Sequence, residues 1–320
     1  MGAESNESLD VLSVFLTGIP GLESQHGWLS IPFSTMYIVA IVGNSLIMIA
    51  VQGDPVLHEP MYLFLSMLAV TEVGVSVSTL PTVMGILWFD ARQIDFDGCL
   101  AQMFFIHTFS CMESGVLLAM SYDRFVAIYN PLRYTAILTL PRIICMGLGI
   151  TLKSVTLMAP LPILLNVKRL PFCHSHLLSH SYCLHQDMIR LVCADIRVNS
   201  WYGFALVLLI IVMDPLLIVL SYTFILKNIL GTASWTVGYH ILAVLVLYVP
   251  MIGVSMTHRF AKHASPLVHV IMANIYLLAP PVMNPIIYSV KTKQIRQGIF
   301  HVLFQKKVYS ICSSELLLRK

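Results

Sequence analysis

Charge is what this sequence has least of. Asp, Glu, Lys and Arg make up only 11% of its 320 residues, against about 25% in an ordinary soluble domain. With 57% apolar residues and a mean hydropathy of +0.81, that scarcity excludes a water-soluble globule. Enzyme signatures are missing as well: no GxSxG, HExxH or P-loop pattern occurs. No internal repeat or low-complexity linker divides the chain, which therefore reads as one domain. Its start, Met1 to Val11, carries Glu4, Glu7 and Asp10 but neither a basic segment nor an apolar core, and so does not read as a cleavable signal peptide.

What the sequence has in quantity is long apolar runs. Seven have the roughly 17 to 25 residues that cross a hydrocarbon core of about 30 Å. They begin near Trp28, Pro60, Ala101, Ile143, Tyr202, Thr236 and Val268, and end near Val51, Leu80, Tyr122, Leu165, Ile225, Met256 and Tyr288. Barrel strands would be about 10 residues of alternating polarity, so helices are predicted: an all-α membrane protein built as a seven-transmembrane helix bundle. With the N-terminus outside, Lys and Arg concentrate on the inner segments (Arg124, Arg133, Arg142, Lys227, Lys291, Lys293, Arg296 and the tail), as the positive-inside rule requires. The sequon Asn6-Glu7-Ser8 then lies outside, with Asn6 as a glycosylation acceptor. Residues 1–27 are the expected extracellular segment, 28–290 the membrane domain and 291–320 a cytoplasmic tail that opens with a short amphipathic helix.

Of seven cysteines, Cys99 precedes the third run, and Cys173, Cys183 and Cys193 lie in the long outer segment between runs four and five. Thiols there meet oxidising conditions, and four cysteines allow three connectivities. Cys111, Cys145 and Cys312 read as free. The embedded charges are fewer still: Glu72, Glu113, Lys153 and Asp214. Intramembrane acids are costly and face polar interiors. The third run closes on adjacent Asp123 and Arg124.

These features together resemble the rhodopsin-like G-protein-coupled receptors, and within them the olfactory receptors. The general marks are Gly43-Asn44, Asp123-Arg124-Phe125, Ser221-Tyr222 and Asn284-Pro285-Ile286-Ile287-Tyr288; the olfactory ones are "PMYLFLSML" at 60 to 68, "MSYDRFVAIYNPLRY" at 120 to 134 and "PPVMNPIIYSVKTKQIR" at 280 to 296. "HRF" at 258 to 260 and "VKTKQIR" at 290 to 296 are similar to the class I branch, which is associated with water-soluble odorants including carboxylic acids. The resemblance implies a plasma-membrane receptor that binds a small odorant and activates a stimulatory G protein. It implies disulfides Cys99–Cys183 and Cys173–Cys193, and an activation set of Asp123, Arg124, Tyr222, Asn284, Pro285 and Tyr288. In that set Arg124, held by Asp123 in the resting state, is freed when helix six swings outward.

The resemblance also places Glu72 and Glu113 at a sodium pocket with Asn44 and Asn284. Most relatives carry Asp where Glu72 stands. The two carboxylates either hydrogen-bond structurally, one of them keeping its proton, or share a cation, with Na+ the expected ion. For the ligand the expected anchor is Arg259, whose planar fork of donors matches a carboxylate. His107, Ser255 and Gln186 are its expected polar partners, and Phe104, Ile106 and Met251 the expected apolar lining. The loop "CHSHLLSHSYCLH" from Cys173 to His185 holds four histidines, but their spacing is not that of a closed zinc site, and loop packing is the expectation.

One departure from the family pattern stands out. Where olfactory receptors carry a basic stretch and a motif close to "KALNTCVSH", this chain reads "LKNILGTASWTVGYHILAVLVLYVP" over Leu226 to Pro250. Roughly eight residues are missing between Ser234 and Tyr239, about 12 Å of helix at 1.5 Å per residue. A signalling-impaired receptor is therefore the alternative reading. A small transporter using the embedded acids comes next, although no paired half-repeats are present.

Overall fold

The structure is a computed structural model that describes residues 13–22, 25–166, 177–191, 197–228, 235–260 and 265–301. Seven of its helical stretches are long and apolar enough to cross a membrane. In hydrocarbon every backbone N–H and C=O must be paired within the segment, and a helix does this locally. The first three spans are α1 (His26–Gly53), α2 (Pro60–Phe89) and α3 (Phe96–Tyr129). After a short turn of helix, α4 (Tyr134–Ile137), the fourth span is α5 (Leu140–Met158) followed by α6 (Pro160–Asn166). A small helix, α7 (His185–Leu191), lies in the segment before span five, which comprises α8 (Arg197–Leu208), a π turn over Leu209–Met213 and α9 (Asp214–Asn228). Spans six and seven are α10 (Trp235–Phe260) and α11 (Pro266–Lys291).

Proline explains the two interruptions. Pro160 brings no N–H to α5 and its ring crowds the preceding turn, so span four breaks at Ala159. Pro215 likewise gives nothing to the carbonyl four residues back, and the chain opens into a π turn just before it. Proline placed in the first turn, where the N–H would be unpaired anyway, starts α2 and α11 instead. The helices run beyond the apolar stretches read from sequence: α2 continues from Leu80 to Phe89, and α3 begins at Phe96 rather than Ala101. The residues that extend α2, among them Val83, Met84, Ile86, Leu87, Trp88 and Phe89, are themselves apolar, and Pro81 lies inside the helix rather than ending it.

Three buried clusters hold the bundle. One gathers Leu57, Phe64, Leu117, Tyr222, Leu247 and Ile295 near the Asp123–Arg124 end. The other two occupy the opposite end, one around Val14, Leu16, Cys99, Cys183 and Met188, the other around Tyr37, Ile106, Tyr182 and Leu277. Spans four and five are the least enclosed, with only 17% of their apolar windows buried, which leaves most of their surface to lipid. Spans one and seven approach closely because Gly43 has no side chain: a Cβ there would come within 2.9 Å of the Pro285 ring. Residues 293–301 form the short helix expected after span seven, burying Ile295 and exposing Lys293, Arg296 and Phe300.

A small sheet, unforeseen in an all-α reading, caps the disulfide end. Strand β1 (Ser13–Leu16) lies between β2 (Gln93–Asp95), with which it pairs antiparallel, and β3 (Leu177–Leu178), with which it pairs parallel. Its two-residue period turns Val14 and Leu16 into the core while Phe15 stays exposed.

Candidate functional site

The roof at the disulfide end is fastened residue by residue. The disulfide joins Cys99, at the start of α3, to Cys183. Beside it Gln102 accepts from the Cys183 N–H at 2.9 Å and donates to Ser78 O and Thr82 Oγ1 of α2 at 2.9 and 2.7 Å. Tyr182 donates to Ala273 O of α11 at 2.7 Å, and buried His180 and Asp187 pair through Nδ1 and a carboxylate oxygen. Thr17, just past β1, bonds Leu178 O through both its N–H and its hydroxyl. Cys173, Cys193 and the glycosylation candidate Asn6 lie outside the described residues. Among those described, Cys111 and Cys145 are free, the first buried and the second exposed.

Under this roof is a cavity of about 100 Å³ enclosed by α3, α5, α6, the β3–α7 segment, α8, α10 and α11. A second chamber of about 60 Å³ adjoins it toward the middle of the bundle, sharing His107, Met158, Ile210, Met251 and Tyr276 and adding Ser110 and Cys111. Of the residues singled out from sequence, His107, Gln186, Ser255 and Met251 line the upper cavity. Ile106 does not: it is fully buried on the other side of α3, against the cluster of Tyr37, Val75 and Tyr182. Phe104 does not either, and packs edge-on to Phe105 beside the disulfide cluster. Ile106, adjacent to His107, necessarily points to another side of the helix; Phe104, three residues before His107, lies a turn nearer the roof and packs against the disulfide cluster instead of the cavity. Arg259 falls in the last turn of α10, four residues after Ser255; its side chain lies outside the described set.

Sequence reasoning passed over His185, Met158 and Tyr276, which also line the cavity. The signal for His185 was its place next to Gln186. For Met158 and Tyr276 there was none, because apolar membrane helices carry little periodicity. Burial is the main reason that His185, outside the spans, is lowered from 6.5 to about 3; repulsion from nearby His107 adds to it, and Asn199 pulls the other way.

In the middle of the bundle a polar column runs between the helices. Asn284 of α11 donates to a carboxylate oxygen of Glu72 in α2. Asn44 donates to Ala40 O at 2.9 Å and to Pro281 O at 3.0 Å. The second of these bonds has a clear cause: Pro285 has no N–H to give the carbonyl four residues earlier, and Asn44 supplies the missing donor. Glu113 is buried and close enough to Glu72 for their charges to interact. Glu72 Oε2 and Glu113 Oε1 have no hydrogen-bond partner among the described residues. Lys153 and Asp214, unassigned from sequence, pair at 3.6 Å; Ser114 donates to Asp214 at 2.6 Å and meets the Tyr248 hydroxyl at 2.7 Å.

At the other end Arg124 Nη2 lies 3.1 Å from Asp123 Oδ2, with Asp123 fully buried and Arg124 18% exposed. Tyr134, in the connection to span four, donates to Asp123 at 2.7 Å. Burial and that carboxylate raise the Tyr134 phenol, so it remains a donor. Tyr222 of α9 bonds His240 Nδ1 of α10, and Tyr288 is buried beneath them with its hydroxyl unpartnered among the described residues.

Comparison with known proteins agrees with this geometry. Residues 33–306 match the olfactory receptor family. Human olfactory receptor 51Q1 is 61% identical over 318 residues, covering 97% of this chain and all of the relative. Human olfactory receptor 51I2 is 55% identical over 301 residues, covering 92% of this chain and 96% of its own. Human olfactory receptor 51G1 is 52% identical over 302 residues, covering 92% and 94%. The chain therefore belongs to the olfactory receptor family: it is a seven-helix, multi-pass G-protein-coupled receptor of the plasma membrane and not an enzyme.

Proposed function

We propose that this receptor binds a small odorant carrying a carboxylic acid in the cavity beneath the disulfide roof, and that binding favours the arrangement that activates a stimulatory G protein. The observation that carries the reading is the cavity itself. It is far below the roughly 300 to 1,000 Å³ of drug-sized sites, apolar over most of its wall, and polar where His107, Gln186 and Ser255 converge. Position 259 follows Ser255 by one helical turn, on the same face of α10 and nearer the roof. An arginine there suits the carboxylate while the tail extends toward Met251 and the lower chamber. Only a difference in affinity between resting and active bundles can drive the shift. Release of Arg124 from Asp123, with Tyr222, Asn284, Pro285 and Tyr288 rearranging around it, is the proposed inner response.

A cation, Na+ in the first instance, fits the Glu72–Glu113 site. The two unpartnered carboxylate oxygens supply charge, and Asn44 and Asn284 supply neighbouring amides.

The test of the acidic-odorant reading is a cyclic AMP dose response to a carboxylic acid panel, with surface level measured in the same cells. Arg259→Ala is expected to raise the effective concentration of an acidic agonist roughly 10- to 150-fold, the equivalent of about 1.5 to 3 kcal/mol for a hydrogen bond to a charged group. Unchanged potency at equal surface level removes Arg259 from the site.

A second reading, weakened output, is favoured by a specific observation. An alignment over 318 residues that takes in 97% of a 320-residue chain, about 310 residues, leaves about eight positions of the relative without a counterpart here. The sequence puts the shortfall at the start of span six, and α10 has only five residues, Trp235 to Tyr239, before buried His240.

A further inference from the structure

The connection between spans three and four carries a chemistry that neither the cavity nor the polar column uses. Past α3 the chain runs Asn130-Pro131-Leu132-Arg133-Tyr134-Thr135, and over residues 130–145 the ionised side chains are Arg133 and Arg142, with no Asp or Glu. The segment stands clear of the bundle: Leu132 is 98% exposed, and Arg133, Thr135 and Ala136 are exposed beside it. Among the described residues of the inner connections, Thr139 and Thr292 are half-buried, whereas Thr135 is exposed. An accessible hydroxyl in a purely basic stretch thus lies on the face that the positive-inside rule puts in the cytoplasm.

The local fold suits an enzyme that must draw the segment into its own cleft. Helix α4 is a single turn, held by the bond from the Leu138 N–H to Tyr134 O at 2.9 Å. One turn fixes several dihedrals for little hydrogen bonding, so opening it costs little. Arg142 covers the far end of the turn, donating to Ala136 O at 3.2 Å and to Ile137 O at 2.8 Å. A phosphate on Thr135 brings about two negative charges between two arginines, and guanidinium forms strong charge-assisted bonds with phosphate.

We propose that Thr135 is a phosphorylation site for a basophilic serine/threonine kinase, and that its phosphate lowers output to the G protein. In the transfer, Thr135 Oγ1 forms a bond to the γ-phosphorus of ATP and the bond from that phosphorus to the bridging oxygen breaks. ADP leaves with the electron pair, and the hydroxyl proton passes to the catalytic aspartate of the kinase. Output falls because of charge and place. Tyr134, the preceding residue, donates to Asp123, which holds Arg124 at 3.1 Å. The phosphate therefore arrives one residue from the paired charges of the inner end and cancels the positive charge of Arg133 and Arg142. This second half rests on the G-protein reading above; the modification itself does not.

The experiment incubates the purified full-length receptor with ATP and the catalytic subunit of a cyclic-AMP-dependent kinase, a basophilic enzyme, with an acidophilic kinase in parallel. Trypsin cuts after Arg133 and Arg142 and releases residues 134–142, whose fragment masses place the phosphate. The expected result is phosphate on Thr135 from the basophilic enzyme and none from the acidophilic one. Thr135→Val should abolish the labelling, and Arg133→Gln should slow it roughly tenfold or more, as loss of a hydrogen bond to a charged group does. An unlabelled peptide, phosphate on Thr139 instead, or equal labelling by both kinases overturns the site. For the output, cyclic AMP is read in cells at matched surface level, without and with a panel of carboxylic acids. Thr135→Glu should respond less than Thr135→Val. Equal responses, silence in both included, overturn the effect on output, while the site stands or falls on the labelling.

Discussion

At the scale of single residues, the structure turns sequence marks into hydrogen-bond accounting. Asn44 and Pro285 were legible as family marks, but their relation was not, because it depends on one helix supplying a donor to another. Removing the amide by Asn44→Ala leaves Pro281 O without its donor in the membrane interior. A loss of about 1 to 3 kcal/mol is expected, seen as a lower thermal midpoint in detergent; an unchanged midpoint would show that the bond contributes nothing. His185 predicts a pH dependence. Its folded value, about 3, lies below the unfolded value near 6.5, so the unfolded chain binds the proton more readily. Stability contributed by the neutral ring is complete above pH 6.5 and is lost as pH falls from 6.5 toward 3. By pH 5 the loss is on the order of 2 kcal/mol. His185→Gln should flatten that slope in thermal unfolding from pH 7 to 5, and an identical slope in both proteins would contradict the assignment.

At the scale of elements, the seven spans were legible because the membrane demands length and hydrophobicity together, and little else satisfies it. The β1–β2–β3 sheet was not, since four residues, Ser13 to Leu16, make too short a pattern and their partners come from distant segments. Ile106 was misplaced for a related reason. Helix three is apolar on several faces, so the sequence ranked Ile106 with His107 although the two point to different sides. The shortened start of span six carries the element-scale prediction. Inserting a basic segment with the Lys-Ala-Leu-Asn-Thr-Cys motif between Ser234 and Trp235 adds about two helical turns to the inner end of α10. The cyclic AMP response should increase at matched surface level while agonist binding stays the same. Equal signalling from native and lengthened chains would show the shortening to be silent.

At the scale of the whole molecule, the architecture separates two tasks. The disulfide end is a tightly tied roof over a small cavity: Gln102 ties it to α2 and α3 and Tyr182 ties it to α11, while β1 joins its strands and the His180–Asp187 pair closes the roof segment on itself. The Asp123–Arg124 end holds the paired charges with Tyr134 and Tyr222 beside them, and the polar column around Glu72, Glu113 and Asp214 lies between. The bundle and its two ends could be read from sequence. The identity of the cavity wall could be read only in part, because lipid-facing and cavity-facing side chains of a membrane helix are chemically alike. The central claim is that the cavity under the roof is where the odorant sits. Its most direct test is ligand-induced thermal stabilisation of the purified receptor by a saturating short-chain carboxylic acid, compared between the native chain and Ser255→Phe, which fills the cavity from α10. A ligand at 100 times its dissociation constant stabilises by about 2.7 kcal/mol. The account predicts that shift in the native receptor and none in Ser255→Phe, and an equal shift in both would contradict it.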